Sequence, residues 1–299
     1  MQSELGKVNH AMNTETDTKQ PVSTVGIIGY GRFGRVLADG LRNDFSLRIH
    51  DPFAAFDNTP DTPSSLADTA SSDAVFICVP IVHFEEVVRQ TAPYLRAGSM
   101  LLDVCSVKLF PERVMKRYVA DDVVILPTHP MFGPDTARAG GQELGWKDLP
   151  FVLCPLSEVS ESLEQNHAQN HATNTASEAA VAFWRDYLTT QRGCRVVSMP
   201  SEEHDRITAY TLCLTQLLGR VLGNIGIKAS DIDAQSFTHL LRMKEISYND
   251  SMELLIGLHR YNPFAAEMRR RLREEFQAVE PFLQPIIEQA LAQEQSNGG

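Results

Sequence analysis

A chain of 299 residues with 38 acidic against 27 basic side chains carries a formal net charge of −11, which argues against nucleic acid or an anionic membrane as its main partner. The length implies about two domains and a sizeable core. The polar first 20 residues lack a signal-peptide core, and no apolar run approaches a membrane-spanning helix, so a cytoplasmic protein is expected.

In chain order, residues 1–20 read as a polar, disordered lead-in. The apolar run at 24–28 leads into Gly29, Gly31 and Gly34, spaced Gly-x-Gly-x-x-Gly, and then into an amphipathic stretch at 35–41; the next strand-like run, 47–50, ends on Asp51. In that order the pieces form a dinucleotide-binding fingerprint. The first glycine allows a tight turn, the second lets backbone approach a pyrophosphate, and the third lets helix pack on strand, while the helix N-terminus offers N–H groups to the phosphates. Arg32 and Phe33 belong to the same loop. Asp51 should bond the adenosine ribose hydroxyls and repel a 2′-phosphate, which points to NAD; Arg32 and Arg48 leave room for some NADP tolerance.

Further strand-like runs follow at 73–79, 100–104, 123–126, 149–154 and 194–197, several of them continuous apolar blocks as in parallel strands covered on both faces. Helical stretches at 82–95 and 179–192 lie between them. The polar segment 157–177 reads as an extended surface loop. Cys78, Cys105, Cys154, Cys194 and Cys213 are odd in number, form no Cys-x-x-Cys and mostly sit in apolar runs, as buried thiols of a reducing compartment do.

The texture changes at Pro200. Ser201 reads as an N-cap with Glu202 and Glu203 in the first turn, and apolar residues from Ile207 to Ile225 then recur at helical spacing. A second stripe runs from Phe264 to Val279, with a kink or a new start expected at Pro281 and Pro285. The expected architecture is α/β: a Rossmann-type dinucleotide-binding domain over 21–199, followed by an all-helical domain over 200–299 that meets substrate and forms a homodimer through its apolar stripes.

Chemistry is expected outside the carboxyl ends of the parallel strands. Val79 and Pro80 follow the third strand, and Ser106 and Lys108 the fourth. His129 is read as following the fifth directly, held between Pro127 and Pro130. An imidazole titrates near neutrality and suits proton removal from a hydroxyl that is losing hydride. Lys108 suits a phosphate contact, loop stabilisation or a substrate contact, and Trp146 either a pocket cap or a loop anchor. His167 and His171 have the spacing of a metal pair but no third ligand, so no metal is expected.

Three segments carry a family resemblance: Asp-x-x-Ser-Val-Lys at 103–108, His-Pro-Met-Phe-Gly-Pro-Asp at 129–135 and Glu-Glu-His-Asp-Arg at 202–206. Together with the glycine fingerprint they resemble the prephenate and arogenate dehydrogenases of tyrosine biosynthesis, over about residues 22–280. The resemblance implies an NAD(P)-dependent oxidative decarboxylation. A ring hydroxyl is oxidised and CO2 leaves, giving 4-hydroxyphenylpyruvate from prephenate or tyrosine from arogenate. It implies His129 as acceptor of the hydroxyl proton and Ser106 as the hydroxyl that orients the ring near the nicotinamide. Arg242 takes the place of a substrate-binding arginine, with His204 and Asp135 at the pocket. Since a guanidinium is a natural partner of a dicarboxylate, Arg242 makes prephenate the expected substrate, with arogenate as the alternative. Another Rossmann-type hydroxy-acid dehydrogenase and a non-catalytic NAD sensor are the remaining readings.

Overall fold

The computed structural model describes residues 22–138, 145–156 and 167–297; the expected lead-in at 1–20 lies outside them. Seven strands alternate with helices: β1 (Thr24–Ile28), α1 (Arg32–Leu41), β2 (Ser46–His50), α2 (Leu66–Ala70), β3 (Ala74–Ile77), α3 (Ile81–Thr91), β4 (Met100–Asp103), α4 (Leu109–Tyr118), β5 (Val124–Pro130), α5 (Pro134–Arg138), β6 (Pro150–Leu153), α6 (His167–Thr190) and β7 (Arg195–Ser198). They form one sheet in the order β2-β1-β3-β4-β5-β6-β7. The chain leaves β1 toward one edge and returns to its other side with β3, so the strand order reverses beside β1 and opens a crevice at the carboxyl ends there.

Strands β1 to β5 are parallel, but β6 runs antiparallel to β5, and β7 follows β6. An all-parallel reading therefore fails at β6. Apolar continuity reports burial on both faces, not strand direction. Alternate residues serve the two faces. Ile27, Phe76 and Leu102 join a core with Leu37 and Leu41 of α1 and Trp184 of α6. Val75, Ile77 and Leu101 join another with Phe84 and Val88 of α3 and Val114 and Met115 of α4. Trp146 lies so close to α1 that a Cβ on Gly40 would sit 2.3 Å from its ring. It is a core anchor, not a pocket cap.

After β7 the chain is helical. Helix α7 (Ser201–Thr208) passes through a π-helical segment, Ala209–Cys213, into α8 (Leu214–Ile225); α9 (Gln235–Asn249), α10 (Met252–Tyr261) and α11 (Ala265–Asn297) complete it. Three local expectations are corrected. Pro200, with extended backbone, holds the N-cap position of α7, and Ser201 is the first helical residue. Residues 167–177 are helix and not loop, because α6 extends N-terminally from an anchored face that includes Ala180, Val181 and Trp184; adding turns to a nucleated helix costs little. Finally, of the kink or new start expected at Pro281 and Pro285, the new start does not occur, and α11 runs through both prolines. Pro281 lies on an exposed stretch, where water can satisfy a carbonyl freed by the missing N–H.

The core beneath these helices is small, built on Val107, Ala209, Cys213, Leu258, Ala265 and Met268. Large apolar side chains remain outside it, with Ile225 67%, Phe276 65% and Phe282 76% exposed. Among the described residues, no helix is long and apolar enough to cross a membrane.

Candidate active site

The glycine loop is built for close approach. Gly29 has φ +100°, and a Cβ there would lie 2.5 Å from the Cys78 carbonyl oxygen, while one on Gly34 would lie 2.1 Å from that of Gly29. Gly31, the N-cap of α1, has no neighbouring atom within 4 Å of its Cβ position. Its open side leaves room for a pyrophosphate against the helix N-terminus, so the loop fits a dinucleotide.

Two hollows meet at Gly31. The outer one, about 350 Å³, is lined by Tyr30, Arg32, Arg35, Asp51 and Phe53. The Asp51 carboxylate accepts the Tyr30 N–H at 2.7 Å on Oδ2, and the N–H groups of Phe53 and Ala54 at 2.9 and 3.1 Å on Oδ1. It therefore ties the glycine loop to the end of β2 while lining the outer hollow. The inner cleft, about 780 Å³, has a sheet-side wall containing Arg32, Phe33, Val79, Pro80, Ser106 and His129. Its helical wall includes Leu212, Gln216, Glu245, Asp250, Glu253 and Leu254. That volume suits a small cyclic substrate beside a nicotinamide.

His129 lies within β5, paired with Val152 of β6, and not directly after the strand as read from sequence. The antiparallel partner extends β5 to Pro130. The ring is buried at 4% exposure. Its Nδ1 meets Nε2 of His204 at 2.9 Å, and Nδ1 of His204 meets Oδ1 of Asp205 at 2.8 Å. Asp205 in turn accepts the backbone N–H of Lys108 at 2.7 Å and that of Leu109 at 2.9 Å. Burial, then the neighbouring His204 and Lys108, holds His129 well below the usual 6.5, so the ring is neutral at physiological pH.

The remaining expected residues divide. His204 is 1% exposed and stands behind His129, outside the cleft lining; the substrate contact expected of it is corrected to a contact with His129. Arg242 is exposed and also outside that lining. It sits one turn before Glu245 on α9, which does line the cleft. The backbone of Asp135 falls in α5, and its side chain lies outside the described residues. Lys108 is fully buried, with Nζ bonded to the Asp103 carboxylate and the Thr128 carbonyl. It pins the ends of β4 and β5 beneath the site, the loop-stabilising role among those expected of it. Burial, with Asp103 nearby, pushes the Cys105 thiol well above its ordinary value, so it is no nucleophile.

Sequence reasoning missed the helical wall. Gln216, 5% exposed, donates from Nε2 to Oδ2 of Asp250 at 2.5 Å. A polar residue inside the apolar run of α8 was the available signal, since buried polar groups are the informative exceptions. Among the described lining residues the charged groups are Arg32, near the glycine loop, and the carboxylates Glu245, Asp250 and Glu253.

A berth for a hydride acceptor and a neutral imidazole meet in one cleft, which defines an NAD(P)-dependent oxidoreductase. Residues 53–176 match the family described as "Prephenate dehydrogenase, nucleotide-binding domain", and residues 221–295 match "TYRAAT1-like, C-terminal domain". The chain is 30% identical over 278 residues to arogenate dehydrogenase 2, chloroplastic, of Arabidopsis thaliana, covering 89% of this chain and 71% of that protein. It is 27% identical to arogenate dehydrogenase 1 of the same plant, covering 87% of this chain but only 39% of that longer protein. The crystal structure of Aquifex aeolicus prephenate dehydrogenase in complex with hydroxyphenyl propionate and NAD+ shares the fold, with a TM-score of 0.59 at 16% identity, over 92% of this chain and 95% of that one. The chain belongs to the prephenate/arogenate dehydrogenase family.

Proposed function

We propose that the protein is an arogenate dehydrogenase that uses NAD+ and releases tyrosine and CO2. The observation that carries the choice of substrate is the charge of the helical wall: Glu245, Asp250 and Glu253 are carboxylates. Arogenate and prephenate differ at one position of the side chain, an ammonium in the first and a keto group in the second. A carboxylate attracts the ammonium, whereas the extra net negative charge of prephenate meets repulsion. The expectation of prephenate leaned on Arg242, which is exposed and off the cleft. The likeness to two plant arogenate dehydrogenases supports the same choice.

In this reading His129 takes the ring hydroxyl proton on Nε2, and Ser106 orients that hydroxyl from the adjoining loop. The loop from Gly29 to Gly34 would hold the pyrophosphate of the cofactor, with Val79 and Pro80 beside its nicotinamide, which would supply the hydride acceptor. Asp51 at the ribose end favours NAD+. The helices after β7 supply the substrate wall, and a second copy covers their exposed apolar side.

The test is a steady-state comparison of arogenate and prephenate with NAD+ and NADP+, following reduced nicotinamide by absorbance. The highest kcat/KM is expected for arogenate with NAD+. A higher value for prephenate would overturn the choice of substrate.

A further inference from the structure

The hydrogen bonds behind His129 determine which of its nitrogens carries the proton. Both oxygens of Asp205 already receive backbone N–H groups, from Lys108 and Leu109, so the carboxylate faces His204 as an acceptor. Nδ1 of His204 must then be the protonated nitrogen across the 2.8 Å contact, which leaves its Nε2 with a lone pair. That lone pair meets Nδ1 of His129 at 2.9 Å, so Nδ1 of His129 is the donor. The remaining nitrogen, Nε2 of His129, is left unprotonated on the cleft side.

From this geometry we infer that His204 and Asp205 are positioning residues that lock His129 in the tautomer able to accept a proton. The inference rests on the reading of His129 as the base. The pair also gives the captured proton a place to go. As Nε2 of His129 gains the substrate proton, its Nδ1 proton can pass to Nε2 of His204, where the positive charge lies against the Asp205 carboxylate. One N–H bond forms and one breaks at His129, so that ring ends neutral. Lys108 opposes charge on both rings, and Asp103 favours it on His204; Lys108 and Asp103 are bonded to each other. Asp205 is the carboxylate in direct contact with His204. Its backbone is held as well, with Nδ2 of Asn262 donating to the Asp205 carbonyl at 2.8 Å.

The test compares His204→Gln, whose amide oxygen can still accept from Nδ1 of His129, with His204→Leu, which cannot. Asp205→Asn and His129→Asn complete the set. His204→Gln should exceed His204→Leu in kcat by at least about tenfold at equal cofactor KM. Asp205→Asn removes the negative charge beside His204 and sets an amide N–H against one of the two backbone N–H groups that the carboxylate accepts, and should lower kcat by at least about 100-fold. Nitrogen-15 NMR of labelled histidine should show unprotonated Nε2 at His129 in the wild type and in His204→Gln. Equal kcat in the Gln and Leu variants, or a protonated Nε2 at His129 in the resting enzyme, would overturn the inference. Should Asp205→Asn fail to fold, the His204 pair and the NMR signal still decide. Near wild-type kcat in His129→Asn would instead remove the base reading itself, so the two failures are distinguishable.

Discussion

The side-chain amide of Gln216 holds the carboxylate of Asp250 at 2.5 Å, joining α8 to the C-cap of α9 on the wall of the cleft. The Asp250 backbone carbonyl also accepts from Arg220 at 2.6 Å, so the side chain and the backbone of Asp250 are each held before any ligand arrives. A pre-positioned charge loses little freedom on binding an ammonium.

Asp250→Asn should therefore separate the two substrates. A charge-assisted hydrogen bond contributes about 1.5 to 3 kcal/mol, so kcat/KM for arogenate should fall by about 10- to 100-fold, while that for prephenate holds or rises. Steady-state kinetics with both substrates checks this. Equal losses on the two would mean that Asp250 merely supports the helical wall.

The pH dependence follows from burial at His129. Its folded pKa lies well below the ordinary 6.5 of a histidine, and in the proposed role it serves as base only when neutral. Activity should be flat above pH 6.5 and fall through an acid limb below it, and His129→Asn should abolish that limb along with most of kcat. Stability should share the direction. Burial lowers His129, His204 and His259 alike, so the unfolded chain binds more protons as pH drops below 6.5. Their contribution is complete above 6.5 and is lost as pH falls toward the folded values. A Tm that rose on acidification from pH 6.5 to 5.5 would contradict this.

Much of the sheet was legible because its signals are local. The run at Thr24–Ile28, the three glycines and Asp51 sit within one unit whose geometry each residue helps to dictate, and Ser106 and His129 fall at carboxyl ends of neighbouring strands. The direction of β6 was not legible, because Phe151, Val152 and Leu153 are equally buried in either orientation. Arg242 and Glu245 are separated by one helical turn, and no local pattern says which of them reaches a cleft formed with residues far away in sequence. The link from His129 to His204 spans 75 residues, and only the docking of α7 against the end of β5 creates it.

In the proposed reading, cofactor choice turns on Asp51. Because its two oxygens also order the backbone at Tyr30, Phe53 and Ala54, Asp51→Ser should weaken NAD+ binding and narrow the ratio of kcat/KM for NAD+ over NADP+. Arg32 and Arg35 line the same hollow and would then meet a 2′-phosphate with less opposing charge. A ratio unchanged by the substitution would place the discrimination elsewhere.

Assembly is expected to cover what one chain leaves open. Ile225, Phe276 and Phe282 remain at least 65% exposed on helices with little core of their own, and a two-fold partner offers the same surface in return. Light scattering at micromolar concentration should give twice the mass of one chain. The mass of a single chain would contradict it.

In the proposed reading, the cleft selects the amino substrate over the keto substrate, and a competition assay measures that selection: equal concentrations of arogenate and prephenate are supplied with NAD+ to one enzyme sample, and tyrosine and 4-hydroxyphenylpyruvate are quantified at low conversion. The product ratio then equals the ratio of kcat/KM values. Tyrosine should exceed 4-hydroxyphenylpyruvate by at least about tenfold, the discrimination expected of one charge-assisted contact; equal amounts, or an excess of 4-hydroxyphenylpyruvate, would show that the carboxylates of the helical wall do not select the substrate.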